Sequence, residues 1–211
     1  MNVTELQIEN LGIDYGARRI VDALSLRVAA GEVLVVAGAN GSGKSSLVRS
    51  ICGLQRPTRG SVRLAHAGAM YAPAAARHLI GWVAPDVQLY RELTGDENLA
   101  FFARVRGLAL SAAGRSTLLD EVGLAGRGDE LLRNYSSGMA QRLRYACALL
   151  HAPPLLLLDE PTVNFDQHGA ALFVRVVAQQ RARGITVIAT NDARELAHAD
   201  LLIRLDAVEA R

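Results

Sequence analysis

Glu32-Val-Leu-Val-Val-Ala37, running directly into Gly38-Ala-Asn-Gly-Ser-Gly-Lys-Ser45, is the stretch on which the reading of this chain turns. Its first part is a short, mostly apolar run of the kind that forms a strand buried on both faces of a parallel sheet. Ser46 to Cys52 then reads as a helix stopped by Gly53, with Pro57 shortly beyond. A strand, a glycine-rich loop and a helix start together make a phosphate cradle. Glycines let consecutive backbone N–H groups curl around phosphate oxygens, and the helix N-terminus adds its positive dipole end. Gly38, Asn40, Gly41, Ser42, Gly43, Lys44, Ser45 and Ser46 are the candidate nucleotide-binding residues. Lys44 is placed to bridge phosphate oxygens, and Ser45 to offer its hydroxyl to Mg²⁺.

Lys44 is also the only lysine in the chain: of 23 Lys and Arg residues, every other one is arginine. The two side chains differ most where a compact point charge must fit a tight cavity. The rest of the composition sets limits. At 211 residues the chain suffices for one α/β domain with a substantial core and is short for two. A net charge of +2 makes no case for nucleic acid, where a basic stripe is expected. No apolar run reaches the roughly 18 residues of a membrane span. The nearest, Tyr145 to Leu158, is broken by His151, Pro153 and Pro154 and reads as a helix, a break and a buried strand. The first residues carry Glu5 and Glu9 rather than a basic start and an apolar core, so no signal peptide is expected. Cys52 and Cys147 fall inside apparent helices and read as buried, reduced thiols.

Leu155-Leu-Leu-Leu-Asp159 is a second buried strand, ending in a carboxylate. With the loop upstream this is the Walker A and Walker B pair. Asp159 is placed to hold Mg²⁺ through its water shell. Glu160 follows at the position of a general base that orients or deprotonates an attacking water.

Many phosphate-loop proteins carry both motifs. Asn134-Tyr-Ser-Ser-Gly-Met-Ala-Gln-Arg-Leu143, just upstream of the acidic strand, separates this chain from most of them. It resembles the signature of ABC ATPases, usually LSGGQ followed by a Gln-Arg pair, with Tyr135, Ser136, Ser137, Gly138 and Met139 in the five places. Ser136 opens a helix running through Ala148, so its hydroxyl and the free N–H groups behind it form a second anion site. In the family, that site grips the γ-phosphate held by the opposite subunit. The resemblance implies a head-to-tail dimer, with itself or a related subunit, in which Ser136 and Gly138 complete the partner's ATP site. Tyr15, in Asp-Tyr-Gly ahead of Gly31-Glu32, matches the aromatic that stacks on adenine. Thr94-Gly-Asp-Glu97 is a capping box opening an apolar helix, Leu99 to Val105, as at the entry to the family's helical subdomain. Asp166 matches the loop aspartate that crosses the dimer interface.

Two stretches depart from the family. After the strand Ile80 to Val83 a glutamine is expected; Ala84-Pro85-Asp86 stands there, with Pro85 on the glutamine. Gln88, if the strand ends late, and Asp86 are the side chains that can substitute. After the strand Ile185 to Ala189, Thr190-Asn191-Asp192 replaces the usual Thr-His-Asp. Asn191 therefore stands for the histidine that hydrogen-bonds the γ-phosphate, with a shorter donor that cannot carry charge.

The expected fold is α/β: a P-loop NTPase core of the ABC ATPase type with an N-terminal antiparallel β portion and an inserted helical subdomain. One nucleotide-binding domain spans 1–211, the insert being about 86–152 and including a further helix from Ser111 to Val122. The chain ends soon after a strand, Leu201 to Leu205, so no regulatory domain is expected. The resemblance implies ATP and Mg²⁺ as ligands, a separate integral membrane permease docking around Val87 to Leu93, and a place on the cytoplasmic face of the membrane. Export is the expected direction, since the short C-terminus looks like small exporter ATPases, including haem exporter subunits and ABC-2 type exporters. Two other readings stay open: a nucleotide-gated module with very weak hydrolysis, and a soluble ABC ATPase outside transport. The soluble class usually carries two such domains or a long coiled-coil insertion, and neither is present here.

Overall fold

In the computed structural model, residues 4–165 and 167–205 are described. Two sheets share the molecule. The first is antiparallel, in the order β2-β1-β4-β5, formed by β1 (Glu5–Tyr15), β2 (Arg18–Ala29), β4 (Arg59–His66) and β5 (Ala69–Tyr71). The second is parallel, in the order β6-β7-β8-β3-β9, formed by β3 (Val33–Gly38), β6 (Ile80–Val83), β7 (Leu155–Asp159), β8 (Ile185–Thr190) and β9 (Leu201–Leu205). The helices are α1 (Lys44–Ile51), α2 (Gly95–Val105), α3 (Ala112–Glu121), α4 (Ser137–Leu149), α5 (Gln167–Arg181) and the short α6 (Ala193–Leu196).

The continuous apolar runs are explained by burial on both faces. Successive strand residues point to opposite sides of a sheet. Leu34, Val36, Leu155 and Leu157 accordingly join one core with α1 and the antiparallel sheet. Val33, Val35, Leu156 and Leu158 join a second core with the other helices. Close approach of α4 to β6 depends on Gly81, because a Cβ there would meet the Ala148 carbonyl and Pro153. The walls of the helical lobe are pinned at their ends. Thr94 Oγ1 accepts from Glu97 N at 3.1 Å and Glu97 Oε2 from Thr94 N at 2.8 Å, completing the capping box of α2. Fully buried Asn98 donates to the Thr94 carbonyl at 2.8 Å and accepts from Tyr90 N at 2.8 Å, tying the segment before α2 to its first turn.

Apart from α2, which starts at Gly95 rather than Leu99, the sequence-based element boundaries hold to within about two residues, the usual uncertainty at element ends. Helix α1 starts at Lys44 rather than Ser46, and Cys52 caps its C-terminus instead of lying within it. Cys52 and Cys147 are both free and buried; burial raises the Cys147 thiol to about 12. Among the described residues, no helix is long and apolar enough to cross a membrane.

One contact behind β6 makes the fold pH-sensitive. Arg106, at the end of α2, donates to the Ile80 carbonyl at 3.2 Å and lies 3.3 Å from His151 Nε2. Burial, reinforced by the Arg106 charge, lowers the His151 pKa from 6.5 to about 4. Between those values the unfolded chain binds a proton that the folded chain does not, so stability falls as pH drops through that window and levels off below it. Melting temperatures at pH 7 and pH 4.5 should show a smaller loss for His151→Gln than for the wild type.

Candidate functional site

Three strand ends of the parallel sheet converge on the loop between β3 and α1. This is the carboxyl edge, where open α/β sheets place their ligands. Strand β8 lies between β3 and β7, and pairs Thr190 with Ala37 on one side and Ala189 with Asp159 on the other. Walker A loop, acidic strand end and Asn191 are therefore neighbours by register.

The loop is shaped by what its glycines permit. Gly43, with φ 106°, caps α1 in a left-handed conformation, and a Cβ there would run into Ile20 Cγ2. Lys44 is 4% exposed and donates through Nζ to the Gly38 carbonyl at 2.9 Å and the Ala39 carbonyl at 3.0 Å. Ser42 Oγ is buried without a hydrogen-bond partner among the described residues. A cleft of about 310 Å³ opens beside this loop, lined by Tyr15, Arg18, Ile20, Asn40, Gly41, Gly43, Lys44, Ser45, Ser46 and Glu160. Tyr15 is half exposed on its rim, its hydroxyl 3.1 Å from Ser46 Oγ and donating to Gln55 Oε1 at 2.9 Å.

Asp159 lies at the floor of the site, 3% exposed, with Oδ1 lacking any hydrogen-bond partner among the described residues. Burial raises its pKa, Ser45 lowers it again by hydrogen bonding, and Glu160 and Asp86 push it upward. A buried carboxylate oxygen without a donor, beside a serine hydroxyl, suits a hard divalent cation and its water shell. Glu160 has φ 49°, the left-handed region that side-chain-bearing residues rarely occupy. Its N–H donates to the Ala189 carbonyl at 2.9 Å. Asn191 Nδ2 donates to Asn40 Oδ1 at 2.9 Å, joining β8 directly to the phosphate loop.

Eight of the candidate residues line this one cleft, and Gly38, Asn191 and Asp159 are hydrogen-bonded to its Lys44, Asn40 and Ser45. Ser136 and Gly138 do not reach it. Ser136 caps α4, accepting from Met139 N at 3.2 Å, and faces a separate cleft with Gln88, Arg91, Arg133 and Arg144. Gly138 lies against the Asn164 carbonyl, at 3.1 Å from where its Cβ would be. Asp166 lies outside the described residues. Strand β6 stops at Val83, so Gln88 is not carried to a strand end; it faces the cleft of Ser136 instead. Asp86 stands nearer the acidic site and is paired with Arg49 of α1. The sequence reading missed Arg18, Ile20 and Gln55. Arg18 pairs with Tyr15 across the hairpin and donates to the Gly41 carbonyl at 3.3 Å. Its place two positions beyond Gly16 in a tight turn was the available signal.

The family model described as ABC transporter matches residues 21–163, which hold both Walker motifs and the signature. The chain belongs to the ABC transporter family. It is 34% identical over 192 residues to the linearmycin resistance ATP-binding protein LnrL of Bacillus subtilis (strain 168), covering 90% of this chain and 62% of LnrL. It is 35% identical over 209 residues to the daunorubicin resistance ATP-binding protein DrrA3 of Streptomyces coeruleorubidus, covering 98% of this chain and 66% of DrrA3. The chain thus spans less than two thirds of the length of these relatives. A solved structure titled as the ATP binding subunit of an ABC transporter superposes with a TM-score of 0.81 at 28% identity, over 95% of this chain and 85% of that one. The α/β architecture with its antiparallel β portion is that of an ABC ATP-binding domain, and the chain is one.

Proposed function

We propose that this ABC domain binds and hydrolyses ATP in a head-to-tail dimer, and that the cycle of closing and opening drives export through a separate membrane permease. The observation that carries this reading is the split of the site. Lys44, Ser45 and Glu160 line the cleft at the Walker A loop, with Asp159 hydrogen-bonded to Ser45, while Ser136 faces a separate cleft and Gly138 lies against the Asn164 carbonyl. A second protomer brings its Ser136 and Gly138 to the first protomer's phosphates.

Within that site Tyr15 offers its exposed ring to the base, and the N–H groups from Asn40 to Ser46 hold the phosphate tail. Lys44 leaves the Gly38 and Ala39 carbonyls to contact phosphate oxygens. Ser45, and Asp159 through water, would hold Mg²⁺, which would supply positive charge against the phosphates. Glu160 orients the attacking water and takes its proton. Asn191 exchanges its bond to Asn40 for one to the γ-phosphate. Asn191→Ala should lower turnover by up to about 10²-fold, since removing one preorganised donor costs that order of rate. ATP affinity should stay nearly unchanged, because the bond matters in the transition state. Equilibrium ATP binding alongside steady-state phosphate release checks both halves.

A docking surface for the permease partner is supported by the segment after β6. Tyr90 is exposed there and packs edge-on against Phe101 at 4.7 Å between ring centroids, with Phe102 adjoining. LnrL and DrrA3 are named for resistance to linearmycin and daunorubicin, which favours an exporter of bulky natural products over haem export. The competing reading, a nucleotide-gated module with very weak hydrolysis, rests on Pro85 and Asn191. Phosphate release by the wild type and by Glu160→Gln, in the assembled transporter, separates the two. A wild type no faster than the variant decides for the gated module.

A further inference from the structure

Glu160 is held in an unusual conformation, and part of the holding is done from the helical lobe. Its φ of 49° is disfavoured for any side-chain-bearing residue, and Pro161 behind it steers the preceding backbone toward extended geometry. Such a conformation persists only where the surroundings over-determine it. Two constraints are local: Glu160 N donates to the Ala189 carbonyl at 2.9 Å, and Val163 N donates to the Glu160 carbonyl at 3.3 Å. The other two come from α4. Gln141 Nε2 and the Tyr145 hydroxyl both donate to the Pro161 carbonyl, each at 3.2 Å, filling both of its acceptor positions. Gln141 is 4% exposed and Tyr145 fully buried, so no water competes for these bonds.

Gln141 is itself oriented. Arg144, one turn along α4, donates through Nη1 to Gln141 Oε1 at 3.1 Å, which leaves the amide NH₂ aimed at Pro161. The same guanidinium donates through Nε to the Val87 carbonyl at 2.9 Å. Val87 lies in the segment after β6 where Pro85 stands in place of the family's glutamine. An unbroken run of hydrogen bonds therefore leads from Val87 through Arg144 and Gln141 to the carbonyl of Pro161, the residue after Glu160.

We propose that Arg144 and Gln141 are positioning residues that set Glu160 according to the placement of the Val87 segment. This rests on Glu160 being the general base. Neither residue touches the reacting atoms; movement of the segment that faces the permease reaches Glu160 through them.

The test is a double-mutant cycle on the full-length protein with two readouts. Arg144→Met keeps the unbranched stem and removes both donors; Gln141→Met keeps the volume and removes the bond to Pro161. Hydrogen exchange across residues 160–165, where the Val163 and Phe165 N–H groups bond the Glu160 and Thr162 carbonyls, should rise about 10-fold in Arg144→Met and at least as much in Gln141→Met. Exchange in β7 should not change. Turnover should fall about 10-fold in each, with ATP affinity unchanged. Because Arg144 acts through Gln141, the double variant should be no worse than Gln141→Met alone, whereas independent packing defects would add. If Gln141→Met melts early, Gln141→Glu replaces it: the carboxylate still accepts from Arg144 but cannot donate to Pro161. Additive effects, or unchanged exchange at 160–165 in both single variants, overturn the proposal. A wild type that hydrolyses no faster than Glu160→Gln sinks the motor reading alone, and the exchange cycle still decides for or against the linkage.

Discussion

Glu160→Gln should stop turnover and leave ATP-bound dimers that persist through size exclusion. The amide keeps the shape of the side chain and one oxygen toward the water, but it cannot take the proton. Loss of a general base lowers the rate by about 10²- to 10⁴-fold. Nothing in the contacts that hold the backbone of Glu160 depends on its carboxylate: the bonds to the Ala189 carbonyl and from Val163 N are main-chain bonds. The variant should therefore fold and bind ATP as the wild type does. If Ser136 and Gly138 complete a partner's site, slow hydrolysis leaves the closed dimer with no route to open, and dimers accumulate. Ser136→Arg in the same background should restore the monomer by placing a bulky cation where the helix cap must approach phosphate. A Glu160→Gln protein that stays monomeric at saturating ATP would falsify the shared site.

The second large effect belongs to Lys44. Its ammonium sits 2.9 and 3.0 Å from two loop carbonyls in a position only 4% exposed. Lys44→Ala removes the one side-chain cation buried in the cradle and should lower turnover by about 10²- to 10³-fold, as loss of one oriented donor does elsewhere. ATP affinity should fall as well if, as proposed, the ammonium meets the phosphates in the ground state. Lys44→Arg preserves charge but replaces a point donor with a planar fork, for which a cavity closed by Gly38 and Ala39 has no room. It should behave more like alanine than like wild type. Phosphate release and equilibrium nucleotide binding on the three proteins read this directly. Turnover by Lys44→Arg within twofold of wild type would mean that the ammonium is not confined as described.

How much of this was legible in the residues depends on the distance over which each contact acts. The strand at 33–38, its loop and α1 could be read because buried strands, glycine turns and helix starts announce themselves within a dozen neighbouring residues. The Thr94–Glu97 capping box and the Ser136 cap are local in the same way. What brings Tyr15 to Ser46, or Arg18 to Gly41, is the register of β1 with β2 and the packing of that hairpin on α1. Nothing adjacent in the sequence encodes those contacts. The linkage from Val87 to Pro161 was hidden for the same reason, since it joins residues far apart in the chain. Two departures from the family were visible as residues, but their structural meaning was not. Pro85 and Asn191 read as losses, whereas Asn191 holds Asn40 and the guanidinium of Arg144 reaches the neighbourhood of Pro85.

The backbone of Glu160 carries a consequence for which kind of machine this is. A left-handed glutamate before proline costs about 1–3 kcal/mol relative to a relaxed backbone, and glycine would relieve most of it. Stability and chemistry therefore pull in opposite directions at this one position, a trade-off of the sort found where activity needs a strained residue. A module that only opened and closed with nucleotide would need no carboxylate at this bend and could shed the strain. The chain instead keeps an acid in a conformation the backbone resists, braced from β8 on one side and α4 on the other.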